Sequence, residues 1–420
     1  MADVQSMGLG LSHVVFLERA AREQDSTLSR FGQAAFLVLR LVDLLGAEQA
    51  SDTRDELFGY QAAATGRYCH EQLEPGASAD RLLEIVGAAS YAHRRHDPGL
   101  IAPAMLGLAR WLIDAGHFEE ALDVLATLHR AAGARLDPKA AITAALVTGR
   151  AQRELAQFDA ADDAYGRAGM LAEACGDSES MLLSQLGRAN VFWGRGNLAE
   201  AERCNREVVR SARAAGFQDP EARGEHGLGV ALGARGQVHD AVPHFWRAFE
   251  LYKDEAGSMR ALHDLGYALL RLGAIESAER AFKIVVHRAN TMDGSGNAII
   301  ELMYCASFRR DRVGFERWRG ECARIIDQMA PNQIADYHLK LGIGLGRFGR
   351  LDRAAAELQL ALQVARSHGL HEFEFRIERI LSGLADCSAF ESEHVDVEQP
   401  AGTSIYEVSS ALAGLLQSTT

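Results

Sequence analysis

The sequence predicts an all-α chain built from helical hairpins that follow one another along most of its length. Two patterns indicate this fold class: a small–large pattern that occurs twice in full between Leu228 and Phe282, and an alanine position that recurs at regular steps. Composition agrees, because only 7% of the 420 residues are aromatic and alanine is abundant, which favours close packing of helices. Hairpins of this kind bury their apolar faces against their neighbours, so the repeats are expected to stack into one body.

The two full copies of the pattern have identical spacing. A glycine in the first helix is followed by a second glycine seven residues later, then by an alanine after five residues and a phenylalanine after four. Two helices joined by a tight turn explain this spacing: the first glycine lies where the helices touch, the second ends the first helix, and the alanine lets the second helix pack closely. The residues are Gly229, Gly236, Ala241 and Phe245 in one copy, and Gly266, Gly273, Ala278 and Phe282 in the other.

The same positions recur in weaker form on both sides of these copies. The alanine of the second helix, or its replacement, is found at 121, 161, 201, 241, 278, 315 and 354, in steps of 40, 40, 40, 37, 37 and 39 residues. Proline falls between predicted hairpins at 138, 220 and 331, because a helix start tolerates it. Pro243 is the exception and is expected in the first turns of a second helix. The weakest unit has Arg310 where a small residue is usual.

The pattern divides the chain into four regions. Residues 1–100 are predicted to be an N-terminal helical cap with degenerate repeats, in which the apolar segment Phe31–Leu45 is expected to be buried on both sides. Residues 101–386 are the array with its C-terminal capping helix, and residues 387–404 are an acidic flexible linker. Residues 405–417 are a short amphipathic segment, since one helical face collects Ile405, Val408, Leu412 and Leu415.

Charge and cysteine content limit the compartment and the partners. The formal net charge of −13 argues against a broad surface for duplex nucleic acid, which needs clustered lysine and arginine. The six cysteines are scattered without a CxxC pair, as expected for reduced thiols in the cytoplasm. The sequence has neither a basic segment followed by an apolar one at its start nor a run of 18 apolar residues, so no leader and no membrane segment are expected.

These motifs resemble the tetratricopeptide repeat. The copies with Gly229 and Gly266 match its signature best, and the resemblance covers about residues 100–385 but not the first 100. The usual repeat is about 34 residues long, and the steps of 37–40 look like the long-helix variant found in bacterial regulatory arrays. The resemblance implies a right-handed α-solenoid of helical hairpins whose inner face holds a peptide or a partner helix. It implies no enzymatic activity.

In arrays of the family that this chain resembles, the first helix of each hairpin lines the concave face. Applied here, that rule points to a ligand-binding groove rich in arginine and aromatic residues, although the whole chain is acidic. Guanidinium groups match carboxylates and aromatic rings supply rigid buried area, so the expected ligand is a segment with acidic groups or a free carboxylate. The alternative is structural: the arginines pair with carboxylates on neighbouring helices. The predicted groove residues are Arg110, Arg150, Arg153, Asn190, Trp193, His226, Arg260, His263, Tyr267, Arg271, Tyr304 and Arg347.

Other constellations indicate structure rather than chemistry. His239 and His244 are five residues apart, so their imidazoles diverge on a helix, and no third metal ligand is evident. Cys69 and His70 are adjacent and also diverge, which argues against a nucleophile–base pair. Glycine-rich segments lack the strand and the lysine of a phosphate-binding loop, and the short basic run 309–312 is interpreted as a solvated face. No catalytic residue, metal site or cofactor is therefore predicted.

The sequence thus predicts a non-enzymatic scaffold or regulator that binds a protein or peptide segment in the groove. Two alternatives stay open: a sensor of a peptide or small signal, and a subunit that positions the catalytic partner of an enzyme complex. For the tail, one hypothesis is that the acidic linker and the apolar segment fold back into the arginine-rich groove and block it. The favoured alternative is a linker with a helix that binds another molecule or forms a dimer contact, so self-association is an option.

Overall fold

The protein is an assembly of antiparallel α-helices. In the computed structural model, the described residues are 12–22, 26–46, 52–289, 292–383 and 403–419, and every regular element within these ranges is a helix. The all-α prediction is confirmed. The helices divide into two compact units with their boundary between Asn197 and Leu198. The predicted acidic linker lies outside the described residues, apart from its last two positions.

Unit 1 begins with four helices that precede the regular hairpins. Among them α2 packs against α1, α3, α4 and α6, and its side chains Ala34, Leu39 and Val42 are fully buried. The hairpins α5–α6 and α7–α8 follow, and α9 packs on α8. The bounds are α1 Val14–Arg22, α2 Ser26–Gly46, α3 Asp52–Gln72, α4 Ala77–Arg95, α5 Ala102–Asp114, α6 Phe118–Ala132, α7 Pro138–Glu154, α8 Phe158–Cys175 and α9 Ser178–Gly194.

Unit 2 contains α10, four hairpins and two further helices. The hairpins are α11–α12, α13–α14, α15–α16 and α17–α18, and α19 packs on α18. Their apolar side chains form one continuous core, in which Phe282, Phe315 and Leu358 are fully buried. The bounds are α10 Leu198–Ala215, α11 Gln218–Ala234, α12 Val238–Leu251, α13 Glu255–Arg271, α14 Ile275–Arg288, α15 Met292–Phe308, α16 Arg312–Ile325, α17 Pro331–Arg347, α18 Leu351–Ser367, α19 His371–Gly383 and α20 Thr403–Thr419.

Helix starts follow the proline and capping signals of the sequence. Pro138 and Pro331 are the first residues of α7 and α17, and Pro220 lies in the first turn of α11. At α7 the carboxylate of Asp137 also accepts a hydrogen bond from the Ala140 amide at 3.0 Å, which satisfies a donor that the helix leaves free. Pro243 lies in the second turn of α12. The helix accommodates it near its start, where few backbone hydrogen bonds are lost.

The turn inside each hairpin contains a left-handed residue. The glycines predicted to end the first helices have φ between 75° and 82° in four hairpins, at Gly116, Gly236, Gly273 and Gly349. Ala156 and Arg310 occupy the same position in the other two hairpins, with φ of 56° and 57°. A residue with a Cβ is strained there by roughly 1–2 kcal/mol. These two turns are therefore held by the packing of their hairpins against the local backbone preference.

The first glycine of the pattern packs against the aromatic ring of the second helix. A Cβ atom on Gly229 would lie 2.6 Å from the ring of Phe245, and one on Gly266 would lie 2.8 Å from the ring of Phe282. Both distances are shorter than a van der Waals contact, so the close approach of these helices requires glycine. The helix–helix contact predicted for both residues is confirmed.

In unit 1 a single aromatic residue makes this contact twice. Tyr165 of α8 lies between α7 and α9, where a Cβ atom on Gly149 would lie 2.8 Å from its ring and one on Gly187 would overlap the ring. Burial raises the pKa of the Tyr165 hydroxyl, which the nearby Arg153 partly opposes. One ring therefore joins three consecutive helices of unit 1.

The start of α1 is held by a buried histidine. His13 Nδ1 lies 2.7 Å from the Asp123 carboxylate of α6, and Nε2 lies 3.0 Å from the Asp43 carboxylate of α2. Carboxylates only accept hydrogen bonds, so both ring nitrogens donate and the imidazolium form fits the site. Burial opposes the charge, but the two carboxylates outweigh it and raise the pKa of His13.

The C-terminal helix α20 packs on second helices of unit 2. It contacts α14 and, less extensively, α12, with Ile405, Val408 and Leu412 buried in the core of the unit. The hydroxyl of Ser277 in α14 donates to Ser409 Oγ at 2.8 Å. The hypothesis that the apolar tail segment folds into the arginine-rich groove is wrong, because the predicted groove residues of this unit lie on α11, α13, α15 and α17. The acidic part of that hypothesis falls outside the described residues.

Candidate functional site

The candidate site of unit 2 is an open surface on α13. Arg260, Tyr267 and Arg271 follow one another at intervals of seven and four residues, which brings them to the same face of the helix. Both arginines are exposed, and Tyr267 has 43% of its surface exposed, a large fraction for an aromatic side chain. Asp264 lies on the same face between them and is half-buried. These four residues are called the α13 stripe.

The two arginines of the α13 stripe have no carboxylate partner among the residues that the structure describes. Arg271 Nη1 donates to the backbone carbonyl of Gly233 in α11 at 3.1 Å. Arg260 forms no hydrogen bond or ion pair within the described chain. The structural alternative, in which groove arginines are neutralised by neighbouring carboxylates, therefore does not describe this surface. Guanidinium donors of this kind are available to a carboxylate on a ligand.

The carboxylate of Asp264 is held ionised by two histidines. His226 Nε2 of α11 lies 2.8 Å from its Oδ2, and His263 Nδ1 lies 3.5 Å from its Oδ1. Burial disfavours the charge, but the two imidazoles outweigh it and keep the pKa of Asp264 well below its ordinary value. The pKa of His263 is raised, because its contact with Asp264 outweighs burial. The predicted groove residues His226 and His263 thus fix a negative charge in the middle of the stripe.

Tyr252 belongs to this surface but was missed by the sequence reasoning. It follows the last residue of α12, and its hydroxyl lies 3.3 Å from His226 Nδ1. Burial raises the pKa of Tyr252 to about 12, with Arg223 and Arg260 near enough to oppose the rise. A rule that considers only first helices cannot find a residue in a connection. The contact that places the ring is visible only in the structure, where a Cβ atom on Gly257 would lie 2.6 Å from it.

Two predicted groove residues of unit 2 lie in a packed cluster between α15 and α17. Tyr304 is only 6% exposed, and the guanidinium of Arg347 lies 4.7 Å from the centre of its ring and 3.6 Å from that of Phe308. Arg347 also donates to Ser307 Oγ at 2.7 Å and to the Tyr304 hydroxyl at 3.3 Å. Both side chains are engaged within the protein, so a ligand would reach them only at the edge of this cluster.

A buried ion triad lies beside this cluster. Lys340 Nζ of α17 lies 2.6 Å from Glu301 Oε1 of α15 and 2.6 Å from Asp336 Oδ2 of its own helix. Burial disfavours the ammonium group, but the two carboxylates outweigh it and raise the pKa of Lys340. Separating one partner would leave an uncompensated buried charge, which is strongly destabilising. The triad therefore fixes α15 against α17 and is not an accessible binding group.

The predicted groove residues of unit 1 differ in their surroundings. Arg150 Nη2 of α7 lies 2.9 Å from Asp114 Oδ1 of α5, which is the arrangement that the structural alternative describes. Arg153 pairs with the adjacent Glu154. The other three predicted groove residues of this unit are exposed: Arg110, Asn190 and Trp193. Of the surface of Trp193, 45% is exposed.

Solved structures with similar folds include the following three proteins. The apo form of the quorum sensor NprR from B. thuringiensis is similar over 88% of this chain and 99% of its own, with 13% identity and a TM-score of 0.55. The apo form of RapI matches 82% of this chain and 99% of its own, with 9% identity and a TM-score of 0.50. The Rap conjugation gene regulator of plasmid pLS20, in complex with the Phr* peptide, matches 79% and 97%, with 12% identity and a TM-score of 0.51.

The chain has the tetratricopeptide-type fold. Its sequence matches no protein-family model and has no significant match to a curated protein, so the relationship rests on helical architecture together with the small–large pattern. Identities of 9–13% support a common fold and nothing finer. The fold class expected from the glycine and alanine spacing is confirmed.

Within this tetratricopeptide-type array, the remaining sequence motifs have structural surroundings. His244 Nδ1 lies 2.6 Å from Glu225 Oε2, and His239 is half-buried five residues away. Burial raises the pKa of the Cys69 thiol to about 11, which opposes formation of a reactive thiolate. In the part of the chain that the structure describes, no three His, Cys, Asp or Glu side chains are grouped to hold a metal ion, and no helix has the length and apolar character needed to cross a membrane.

Proposed function

We propose that the protein is a non-enzymatic regulator that binds a protein or peptide segment carrying acidic groups across α11 and α13. One observation carries the proposal: Arg260 and Arg271 are exposed on the same face of α13, without a carboxylate partner in the described chain, on either side of the exposed ring of Tyr267. Arginine and tyrosine are enriched among residues that dominate binding energy, because they combine directed donors with rigid buried area. The whole chain has a net charge of −13 and would repel an acidic ligand at most of its surface, so the two arginines determine where such a ligand binds.

The contact of Asp264 with the two histidines shapes this surface. It places a fixed negative charge between two positive ones, so a ligand with a single acidic group has two separate positions at which to bind. A ligand amide or ammonium group would contact Asp264, which is half-buried and accessible from the same side. Alternating charges of this kind favour an extended segment with polar groups along its length over a compact anion.

The similar structures support the proposal of a peptide ligand by analogy of fold. One similar structure is of a quorum sensor and another is of a gene regulator bound to a peptide. A sensor of a small signal is the second candidate, since the chain has the same fold as that quorum sensor. A subunit that positions the catalytic partner of an enzyme complex is the third candidate. We also propose that the protein is cytoplasmic, because its free cysteines are dispersed along the chain.

The test is capture from cells of the source organism with three versions of the intact protein. The first is the wild type, the second carries Arg260→Glu and Arg271→Glu, and the third carries Arg324→Glu on α16 as a control, at an exposed arginine that pairs with Glu321. A hydrogen bond to a charged group contributes about 1.5–3 kcal/mol, so loss of both arginines should reduce recovery of the partner at least tenfold.

The control variant should recover the partner as well as the wild type, and all three proteins should have the same circular dichroism spectrum. Binding of a synthetic peptide from the captured partner should weaken as salt increases, because exposed charge pairs are screened. Equal recovery by the wild type and the double variant would move the binding site away from the α13 stripe and contradict the proposal.

A further inference from the structure

The second helices α12 and α14 present an apolar surface that differs from that of α10. In α12, Val238 and Val242 are buried and Trp246 and Phe249 are partly buried against the core, in addition to the residues that pack on α11. The positions of α10 that correspond to Val242 and Trp246, 40 residues earlier in the chain, carry the ion-paired Glu202 and Arg206 instead. The surface on α12 and α14 therefore needs a covering element, and α20 provides it.

Helix α20 is held on this surface by one face. Ile405, Val408 and Leu412, at intervals of three and four residues, are buried, whereas Tyr406 on the opposite face is 75% exposed. A hydrogen bond between Ser277 and Ser409 joins α20 to α14. Neighbouring hairpins of unit 2 are joined by cross-helix ion pairs as well, such as Arg309 with Glu279. The apolar face is thus the main determinant of where α20 binds.

The position of α20 in the chain does not determine which copy it covers. It follows α19, yet it packs on α12 and α14, several helices earlier, and 19 residues (384–402) separate the end of α19 from its start. A chain segment of that length spans up to about 65 Å when extended, enough to reach a neighbouring molecule. A helix of 17 residues is marginal in water by itself, so α20 forms where it finds a complementary apolar surface.

We propose that the surface formed by α12 and α14 is a helix-binding site that also accepts α20 of a second copy of this chain. Every copy carries both the site and the helix that fits it, so two copies exchange their C-terminal helices reciprocally and form a two-fold dimer. The contacts within the dimer are those seen within one chain, and only the connection differs. The site is separate from the α13 stripe, so the proposal is independent of the ligand that the stripe binds.

The Ser277–Ser409 contact provides a direct test. The two oxygens are 2.8 Å apart, so cysteines at these positions bring their sulfurs close enough for a disulfide. We would prepare one full-length chain with Ser277→Cys and another with Ser409→Cys, both with Cys175, Cys204 and Cys387 replaced by serine. The two proteins are mixed, oxidised with glutathione disulfide, and separated on a non-reducing gel. A covalent dimer forms in the mixture only when α20 of one chain occupies the site of the other.

We expect a covalent dimer in the mixture whose ratio to monomer rises about tenfold for a tenfold increase in chain concentration at low conversion, as mass action requires. Neither protein alone should form it. Two controls define the register: Glu407→Cys, on the exposed face of α20, should give little dimer with Ser277→Cys, and Leu412→Asp should abolish the dimer while the helical content of the array is retained.

A chain that carries both Ser277→Cys and Ser409→Cys decides the remaining outcomes. If this chain closes an internal disulfide but the mixed single variants give no dimer at any concentration, α20 stays with its own chain and the proposal is wrong. If it forms no disulfide at all, α20 does not occupy the site and the proposal is also wrong.

Discussion

Gly266→Ala tests whether the contact between α13 and α14 depends on the absence of a side chain. The added Cβ would lie 2.8 Å from the ring of Phe282, which is fully buried. Overpacking a filled core costs about 1–3 kcal/mol. Alanine is favoured over glycine inside a helix by about 1 kcal/mol. The two effects oppose each other, so a matched variant is needed to separate them.

Gly320→Ala in α16 is that control, because beyond its chain neighbours and the nearby backbone of its own helix no atom lies within 4 Å of the Cβ that it adds. This control should be stabilised by the higher helix propensity of alanine alone. The difference between the two variants in the free energy of unfolding therefore equals the overpacking cost of about 1–3 kcal/mol. Hydrogen exchange resolves this difference hairpin by hairpin, which matters because repeat arrays open locally. For Gly320→Ala, the amide protection factors of α16 should rise. For Gly266→Ala, those of α13 and α14 should stay level or fall, and the two changes in protection factor should differ by about 5–150-fold.

A further substitution checks the cause. Phe282→Leu removes the ring edge, so in the Gly266→Ala background it should cost less than it does in the wild type, with a coupling energy of about 0.5–3 kcal/mol. Equal gains of protection for Gly266→Ala and Gly320→Ala, or no coupling with Phe282→Leu, would refute the idea that ring packing selects glycine here.

Two other predictions concern the N-terminal contact and the turns. Because the pKa of His13 is raised in the folded chain, its stabilisation of α1 is complete below its ordinary value of 6.5 and is lost as pH rises through the raised pKa; proteolysis within α1 should therefore accelerate at alkaline pH, and His13→Gln should remove that dependence. Gly236→Ala should destabilise its hairpin by about 1 kcal/mol, because φ is 82° and no contact compensates, whereas Ala156→Gly should raise the melting temperature. Thermal denaturation followed by circular dichroism measures both changes, and equal signs would contradict the turn argument.

The hairpins were predictable because their determinants are local. A turn glycine and a packing glycine seven residues apart constrain one hairpin without reference to the rest of the chain, and Gly229 with Gly236 satisfies both constraints. Ala156 and Arg310 show the limit of that rule, since the fold imposes a left-handed turn on residues that do not prefer it. Gly187 does not fit the local pattern. It must be glycine because the ring of Tyr165 on α8 occupies the space of a side chain.

The site was only partly predictable, because helical periodicity gives the face of a residue but not the distance to the next helix. Arg271 and Arg347 occupy related positions, yet the first is exposed on α13 and the second is stacked on Tyr304 between α15 and α17. Whether Arg150 finds Asp114 likewise depends on the spacing between hairpins. The surface that α20 covers has a signal in the sequence, because α12 carries the large apolar residue Trp246, which packs against the core of unit 2.

The double contact of Tyr165 restricts how this part of the chain can change in evolution. Its ring fits only if both Gly149 and Gly187 remain glycine, although the three residues lie on three different helices. A smaller residue at 165 would allow side chains at both glycine positions. With the tyrosine present, a larger residue at either glycine position would have to displace its ring. Duplicating or exchanging the hairpin α7–α8 would succeed only in front of a helix that supplies the second glycine. The single side chain of Tyr165 thus constrains the order of α7, α8 and α9, and these three helices are expected to be inherited together.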